Sequence, residues 1–295
     1  MEKAGRTGVI LKWSKRIRWT LMLAVLGYVG ACTYMWATQR HHIFEPTPLL
    51  QTTPARFGLK FEEVRIPSGT GADQGELDAW WIPAEAADAP TILYLHGNDK
   101  NIGVARDLNN GVRMHTMGYN LLMVDYRGYG KSTGGEPSEA KVYEDAESSW
   151  AYLIKQRKIE PKSTFIYGHS LGSAVAIDLA VHHAEAGGVI AESGFSSMVD
   201  MAARAYPYLP ADLLVNQRFD SIGKIGRLKI PLLLIHGTWD RLVPYQMTQR
   251  LFETAPQPKY LKLIEGGEHG NSGFIAPLEY RAALTEFIQH YTVRP

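Results

Sequence analysis

The sequence predicts an α/β fold: a mostly parallel central sheet of about eight strands with helices on both faces and a small cap, preceded by an N-terminal transmembrane helix. Three observations carry this expectation. From Thr91 onward, short apolar runs alternate with stretches of helical periodicity, as parallel strands buried on both faces require. A strand-like run passes through Gly168-His169-Ser170-Leu171-Gly172 straight into Ser173-Ala174-Val175-Ala176, whose small residues read as the opening of a helix. Residues 20–38 carry no charge, and as a helix they reach about 28 Å, close to the ~30 Å hydrocarbon core of a bilayer.

Taken in order, residues 1–19 form a basic segment with Lys3, Arg6, Lys12, Lys15, Arg16 and Arg18, whereas Arg40 alone follows the apolar stretch closely. This asymmetry predicts a cytoplasmic N-terminus and a folded domain outside the cytoplasm, periplasmic if the source is bacterial. Trp13, Trp19 and Trp36 suit interfacial belts. Two rival readings are a cleaved secretory signal and a lipoprotein anchored at Cys32, because Val29-Gly30-Ala31-Cys32 resembles a lipobox. The uncleaved anchor is preferred, since Tyr34, Met35 and Trp36 continue the apolar run beyond the cysteine. Residues 39–56, with Pro46, Pro48 and Pro54, read as an extended linker. The adjacent pair His41 and His42 lacks further ligands and is read as solvated rather than metal-binding.

The folded domain is expected over residues 57–295. Residues 59–66 and 76–82 read as an antiparallel hairpin with 67–75 as its turn. The strand 91–95 runs into His96-Gly97-Asn98, and a helix over 103–117 is expected to be interrupted at Asn109-Asn110-Gly111. Strand 120–124 leads to a glycine-rich loop, 125–135, which Asp125 is expected to hold through local amides. Residues 138–157 place Val142, Ala146, Trp150 and Leu153 on one helix face. His169, His182 and His183 are read as structural. After the strand 188–192, a stretch of about 194–229 is longer than a crossover needs. Its Phe195, Tyr206, Pro207, Tyr208, Leu209 and Pro210 suggest an apolar cap or acyl pocket. The buried-strand run 230–235 ends in His236-Gly237-Thr238-Trp239-Asp240, and the strand-like 260–264 ends in Gly266-Gly267-Glu268-His269. His290 instead falls on a C-terminal helix striped with Leu284, Phe287, Ile288 and Tyr291.

These motifs, with Asp125-Tyr126-Arg127-Gly128-Tyr129-Gly130-Lys131-Ser132, resemble the α/β-hydrolase superfamily and within it the Bem46-like group of ABHD-type serine hydrolases, from about Phe57 to the C-terminus. Ser173 stands where relatives often carry glycine. The resemblance implies an α/β-hydrolase fold in which Ser170 is the nucleophile, Asp240 the acid and His269 the base, in the chain order of such enzymes. It also implies an oxyanion hole built from the backbone N–H groups of Asn98 and Leu171. Serine at position 170 argues against haloalkane dehalogenases, whose matching residue is aspartate.

Composition narrows the function further. A net charge of +1 gives no case for a nucleic-acid partner. The single cysteine excludes an intrachain disulfide and a zinc ribbon, and no His-Glu-x-x-His motif is present. No motif calls for a metal, nucleotide or flavin cofactor, and none bears on oligomeric state. The expected activity is hydrolysis of a small or lipid-like carboxylic ester or thioester through an acyl-enzyme. The alternatives are an amidase or peptidase with the same residues, or a non-catalytic binding protein of the same fold.

Overall fold

The computed structural model describes residues 3–292 and, within them, the side chains from Lys15 onward. The expectations placed on the side chains of Lys3, Arg6, Lys12 and Trp13 therefore lie outside the described residues.

Ten strands are described: β1 (Glu45–Pro46), β2 (Glu62–Ser68), β3 (Gly75–Ile82), β4 (Thr91–Leu95), β5 (Asp99–Lys100), β6 (Asn120–Val124), β7 (Thr164–His169), β8 (Gly188–Glu192), β9 (Leu232–Gly237) and β10 (Lys259–Ile264). Eight of them form one sheet in the order β10-β9-β8-β7-β4-β6-β3-β2. Neighbours from β10 to β6 run parallel, with Thr91 opposite both Asn120 and Thr164, while β2 and β3 form the antiparallel hairpin at one edge. This is the mostly parallel sheet expected from the alternation of apolar runs and helices.

Strand side chains alternate between two buried layers. Leu93, Leu95, Leu122, Val124, Ile166, Val189 and Leu234 enter one layer, and Ile92, Tyr94, Leu121, Met123, Tyr167, Ile190 and Ile235 the other. Helices α3 (Glu139–Ala151), α4 (Leu171–His182) and α8 (Tyr245–Thr254) cover the first face. The second lies under α2 (Ala105–Thr116) and, after the short α9 (Ser272–Ile275), α10 (Pro277–Tyr291), through Leu108, Met114, Leu284, Phe287 and Ile288. With both faces covered, the strands need no polar alternation, which is why they read as continuous apolar runs.

Two local expectations change. Helix α2 runs unbroken through 109–111, and a Cβ on Gly111 would sit 2.6 Å from the Met123 sulfur. That glycine admits close helix-to-strand packing rather than breaking the helix. Helix α3 ends at Ala151 and closes with a π turn over Tyr152–Gln156.

The N-terminal helix α1 (Lys3–Ile43) runs five residues beyond the end expected at 38, and its portion from Lys15 to Ile43 is long and apolar enough to cross a membrane. The expected extended spacer is therefore corrected. Helix α1 stops where Pro46 forces the chain into an extended conformation. The Asn98 side-chain amide then donates to the Ile43 carbonyl at 3.0 Å. Beyond it β1 pairs with β5, and Asn101 Nδ2 donates to the carbonyls of Thr47 and Leu49 at 2.9 Å each. Phe44 is buried against Phe219, ring centroids 6.0 Å apart. The segment after α1 is thus sewn into the loop that follows β4 instead of spanning free solvent.

The cap between β8 and β9 holds α5 (Met198–Ala205), α6 (Ala211–Leu214) and α7 (Ser221–Ile225). It rests on α1 through polar bonds at two levels. Tyr28 Oη donates to the Tyr208 carbonyl at 2.9 Å, and Gln39 donates to the Leu214 carbonyl at 3.1 Å while accepting from the Asn216 N–H at 2.8 Å.

Candidate active site

The turn from β7 to α4 sets the site. Ser170 has φ 53° and ψ −117°, a left-handed backbone that a non-glycine residue holds only where surrounding contacts enforce it. The contacts are visible: the Ser170 N–H donates to the Glu192 carbonyl at 2.9 Å and the Ser173 N–H to the Ser170 carbonyl at 3.0 Å. A Cβ on Gly168 would meet the Gly172 carbonyl oxygen at 2.0 Å, and one on Gly172 the Leu95 carbonyl oxygen at 2.1 Å. The two glycines are therefore what lets strand, helix and neighbouring β4 converge beneath the serine. Ser173, at the position noted above, donates to the Ser170 carbonyl at 2.6 Å and so braces the turn.

Ser170, Asp240 and His269 meet at the carboxyl ends of β7, β9 and β10. His269 Nε2 lies 2.9 Å from Ser170 Oγ, and His269 Nδ1 lies 2.7 Å from Asp240 Oδ2. A carboxylate at Nδ1 fixes the tautomer with the proton on Nδ1, leaving Nε2 to accept from the serine hydroxyl. Asp240 is held on both oxygens: Oδ1 accepts from the N–H groups of Leu242 at 2.9 Å and Val243 at 2.8 Å, while Oδ2 faces His269 and His236. Burial opposes its ionisation, but the hydrogen bonds from His236 and His269 outweigh it and hold the carboxyl well below its usual range.

Asn98 and Leu171 line the same cavity of about 430 Å³ as Ser170 and His269. Leu171 is the first residue of α4, so its N–H has no partner within the helix. The Asn98 carbonyl accepts from Tyr129 Oη at 2.7 Å and from the Glu45 N–H at 3.0 Å, which fixes the peptide plane of this loop.

His236 is the residue that sequence reasoning passed over. It is fully buried, with Nε2 2.9 Å from the Val243 carbonyl and 3.2 Å from Asp240 Oδ2, and Nδ1 2.6 Å from Thr248 Oγ1. Its spacing four residues before Asp240, at the end of a strand, was the available signal. Arg106 is half-buried against Asp99 and Asp107 at the cavity wall. Asp125 reaches across rather than locally: its Oδ1 accepts from the Ile102 N–H at 2.8 Å in the loop after β4. His169 is fully buried beside the site, its ring centroid 5.1 Å from that of His269, and burial first and Arg106 second push its pKa well below the ordinary histidine value. His183 bonds to Glu147 and Glu185 on the surface side of α4. Among the described residues, no cluster of three or more His, Cys, Asp or Glu side chains could hold a metal ion.

A mostly parallel sheet with a serine-bearing glycine turn after a central strand, and a carboxylate and an imidazole on the loops after later strands, is the arrangement of the α/β-hydrolase class. The chain belongs to the α/β-hydrolase superfamily: residues 87–220 and 221–271 match the family model Hydrolase_4, described as serine aminopeptidase, S33. It is a hydrolase of that family. The uncharacterized protein Rv2307c of Mycobacterium tuberculosis is 30% identical over 282 residues, covering 95% of this chain and 98% of that one. The lysophosphatidylserine lipase ABHD12 of Danio rerio is 33% identical over 214 residues, 66% of this chain and 55% of the relative. Among solved structures, the Pyrococcus furiosus esterase Pf2001 superposes with a TM-score of 0.70 at 22% identity, covering 84% of this chain and all of the esterase, a likeness of fold.

Proposed function

We propose that this protein is a membrane-anchored serine hydrolase of the Bem46-like, ABHD-type group that cleaves carboxylic ester or thioester bonds through an acyl-enzyme. The observation that carries the reading is the continuous relay from Ser170 Oγ through His269 to Asp240, at 2.9 and 2.7 Å. Ser170 Oγ attacks the carbonyl carbon while His269 Nε2 takes its proton, and Asp240 stabilises the imidazolium that forms. The oxyanion is held by the N–H groups of Asn98 and Leu171, donors that act only once charge has developed on the carbonyl oxygen. Collapse of the tetrahedral intermediate expels the alcohol or thiol, which receives the proton from His269. Water activated by the same imidazole then attacks the acyl carbonyl, and the acid and free Ser170 are released.

The anchor is α1 itself, with residues 1–19 cytoplasmic and residues 57–295 as the catalytic domain outside the cytoplasm. Lys15, Arg16 and Arg18 before the apolar stretch and Arg40 after it support this orientation. Retention of α1 is supported by the Tyr28–Tyr208 bond, which cleavage and lipidation at Cys32 would remove.

The test is labelling of the full-length protein by a fluorophosphonate probe, with turnover of 4-nitrophenyl butyrate measured alongside. Wild type should label and turn over, and Ser170→Ala should do neither. A folded wild type that remains unlabelled sinks the reading and favours a binding protein of hydrolase fold.

A further inference from the structure

A second cavity, of about 240 Å³, lies between α1 and the cap. Met35 and Gln39 of α1 form one wall, and Ala202 and Ala205 of α5 with Leu214 of α6 form the opposite one. The lining is apolar apart from Gln39 and His42, and Gln39 turns its amide to the cap backbone. His42, Ile43, Met198 and Met201 line this cavity and also the one that holds Ser170 and His269. The two spaces therefore abut across a pair of methionines, side chains long and flexible enough to move aside for a guest.

The cavity also has a defined relation to the membrane. The cap bonds α1 at Tyr28, which lies within the apolar stretch and about 22 Å along the helix from Ile43. The cap presents Tyr208 at that contact and Leu213 on α6, 88% and 81% exposed. An aromatic and a leucine exposed on a cap that packs against a membrane-spanning segment suit contact with the bilayer rather than with water. Because Asn98 bonds the carbonyl at the end of α1, that helix is fixed relative to the loop beside Ser170.

We infer that the space between α1 and the cap is an acyl-chain subsite, so that the membrane-spanning helix forms one wall of the substrate-binding site. Its occupant is the hydrocarbon chain of a bilayer-resident acyl ester or thioester, entering laterally beside Tyr208. The chain lies past Met198 and Met201, with its carbonyl at Ser170. A long chain gains from this arrangement because each buried methylene adds about fourfold to binding (~0.8 kcal/mol). This inference rests on the reading of Ser170 as the nucleophile of an ester hydrolase.

The experiment compares kcat/KM for 4-nitrophenyl laurate and butyrate in full-length protein, wild type against Ala202→Trp on the cap wall and Met35→Trp on the α1 wall. Wild type should prefer laurate, and each indole should lower the laurate-to-butyrate ratio at least tenfold. A wild type that prefers butyrate, or a ratio unchanged in both variants, overturns the subsite. A palmitate probe carrying a terminal diazirine separates the two readings. It should label α5 in wild type and in Ser170→Ala alike, and label it less in Ala202→Trp. No label on α5 overturns the subsite whatever the turnover. Labelled α5 without Ser170-dependent turnover overturns only the hydrolase reading.

Discussion

Replacing His236 by phenylalanine isolates what this buried imidazole does for Asp240. The ring meets three partners: Asp240 Oδ2 at 3.2 Å, the Val243 carbonyl at 2.9 Å and Thr248 Oγ1 at 2.6 Å. Asp240 keeps donors from Leu242, Val243 and His269, and Thr248 still donates to the Gly194 carbonyl at 3.0 Å. The Val243 carbonyl is left buried without its imidazole donor, and Asp240 loses one charge-assisted bond. Stranding one buried acceptor costs about 1–3 kcal/mol and a bond to a charged group contributes about 1.5–3 kcal/mol. Because one Nε2–H is shared by both acceptors the two costs overlap, and a combined loss near 3 kcal/mol should lower the melting temperature by about 6–12 °C in a domain of this size. Catalysis should fall separately, because the 240–243 turn that presents the carboxylate to His269 is no longer pinned from behind. We expect kcat for 4-nitrophenyl butyrate to drop about 10–100-fold, the equivalent of about 1.4–2.7 kcal/mol of barrier, with KM within about twofold. His236→Gln, which retains a donor, should recover part of both losses. A folded His236→Phe protein whose kcat stays within about twofold of wild type would refute the orienting role.

Two further outcomes follow from the same geometry. Gly172→Ala would drive a methyl into the Leu95 carbonyl at 2.1 Å and the His96 carbonyl at 2.5 Å. Backbone must move there, so thermal denaturation should show a loss of about 3 kcal/mol or more, and a melt within about 2 °C of wild type would contradict it. His96 is buried between β4 and the loop of Tyr126 and Tyr129, and burial pushes its pKa down to about 4. Its unfolded value is higher, so the neutral ring stabilises the fold above about pH 6.5, and this contribution is lost as pH falls toward 4. Asp125, 3.4 Å away, is pushed up by burial and works in the opposite direction. The quantity to measure is therefore the stability gap between wild type and His96→Asn, which should narrow by about 2 kcal/mol between pH 7 and pH 5. A gap independent of pH would show that the ring is charged or solvated.

How far the sequence reached differs from element to element. The inner parallel strands were legible because each is buried on both faces and so reads as an uninterrupted apolar run, while the edge strand β2 alternates buried and exposed residues. Ser170 was legible because the elbow tolerates no Cβ at positions 168 and 172, which leaves a fixed glycine spacing. Asp240 and His269 could be chosen because each follows a recognisable strand, and chain order does the rest. His236 was not chosen, since its partners at 240, 243 and 248 lie beyond the strand that carries it, and no periodicity records a bond made around a turn. The helix limits at 109–111 and at 38 moved for a related reason. Gly111 serves a close contact with Met123, and α1 ends at Ile43, where Asn98, 55 residues downstream, satisfies its last carbonyl.

The sequence alone determined the class of fold, the succession of its main strands and helices along the chain, and the presence of an apolar helix near the N-terminus. These follow from local periodicity, charge and backbone stereochemistry, which are properties of neighbouring residues. Only the tertiary structure decided that Ser170 and His269, 99 residues apart, lie within a hydrogen bond, and that α1 packs on the cap instead of standing apart on a spacer. Those contacts join residues distant in the chain, and their free energy depends on burial and geometry that form only when the sheet has closed around its core.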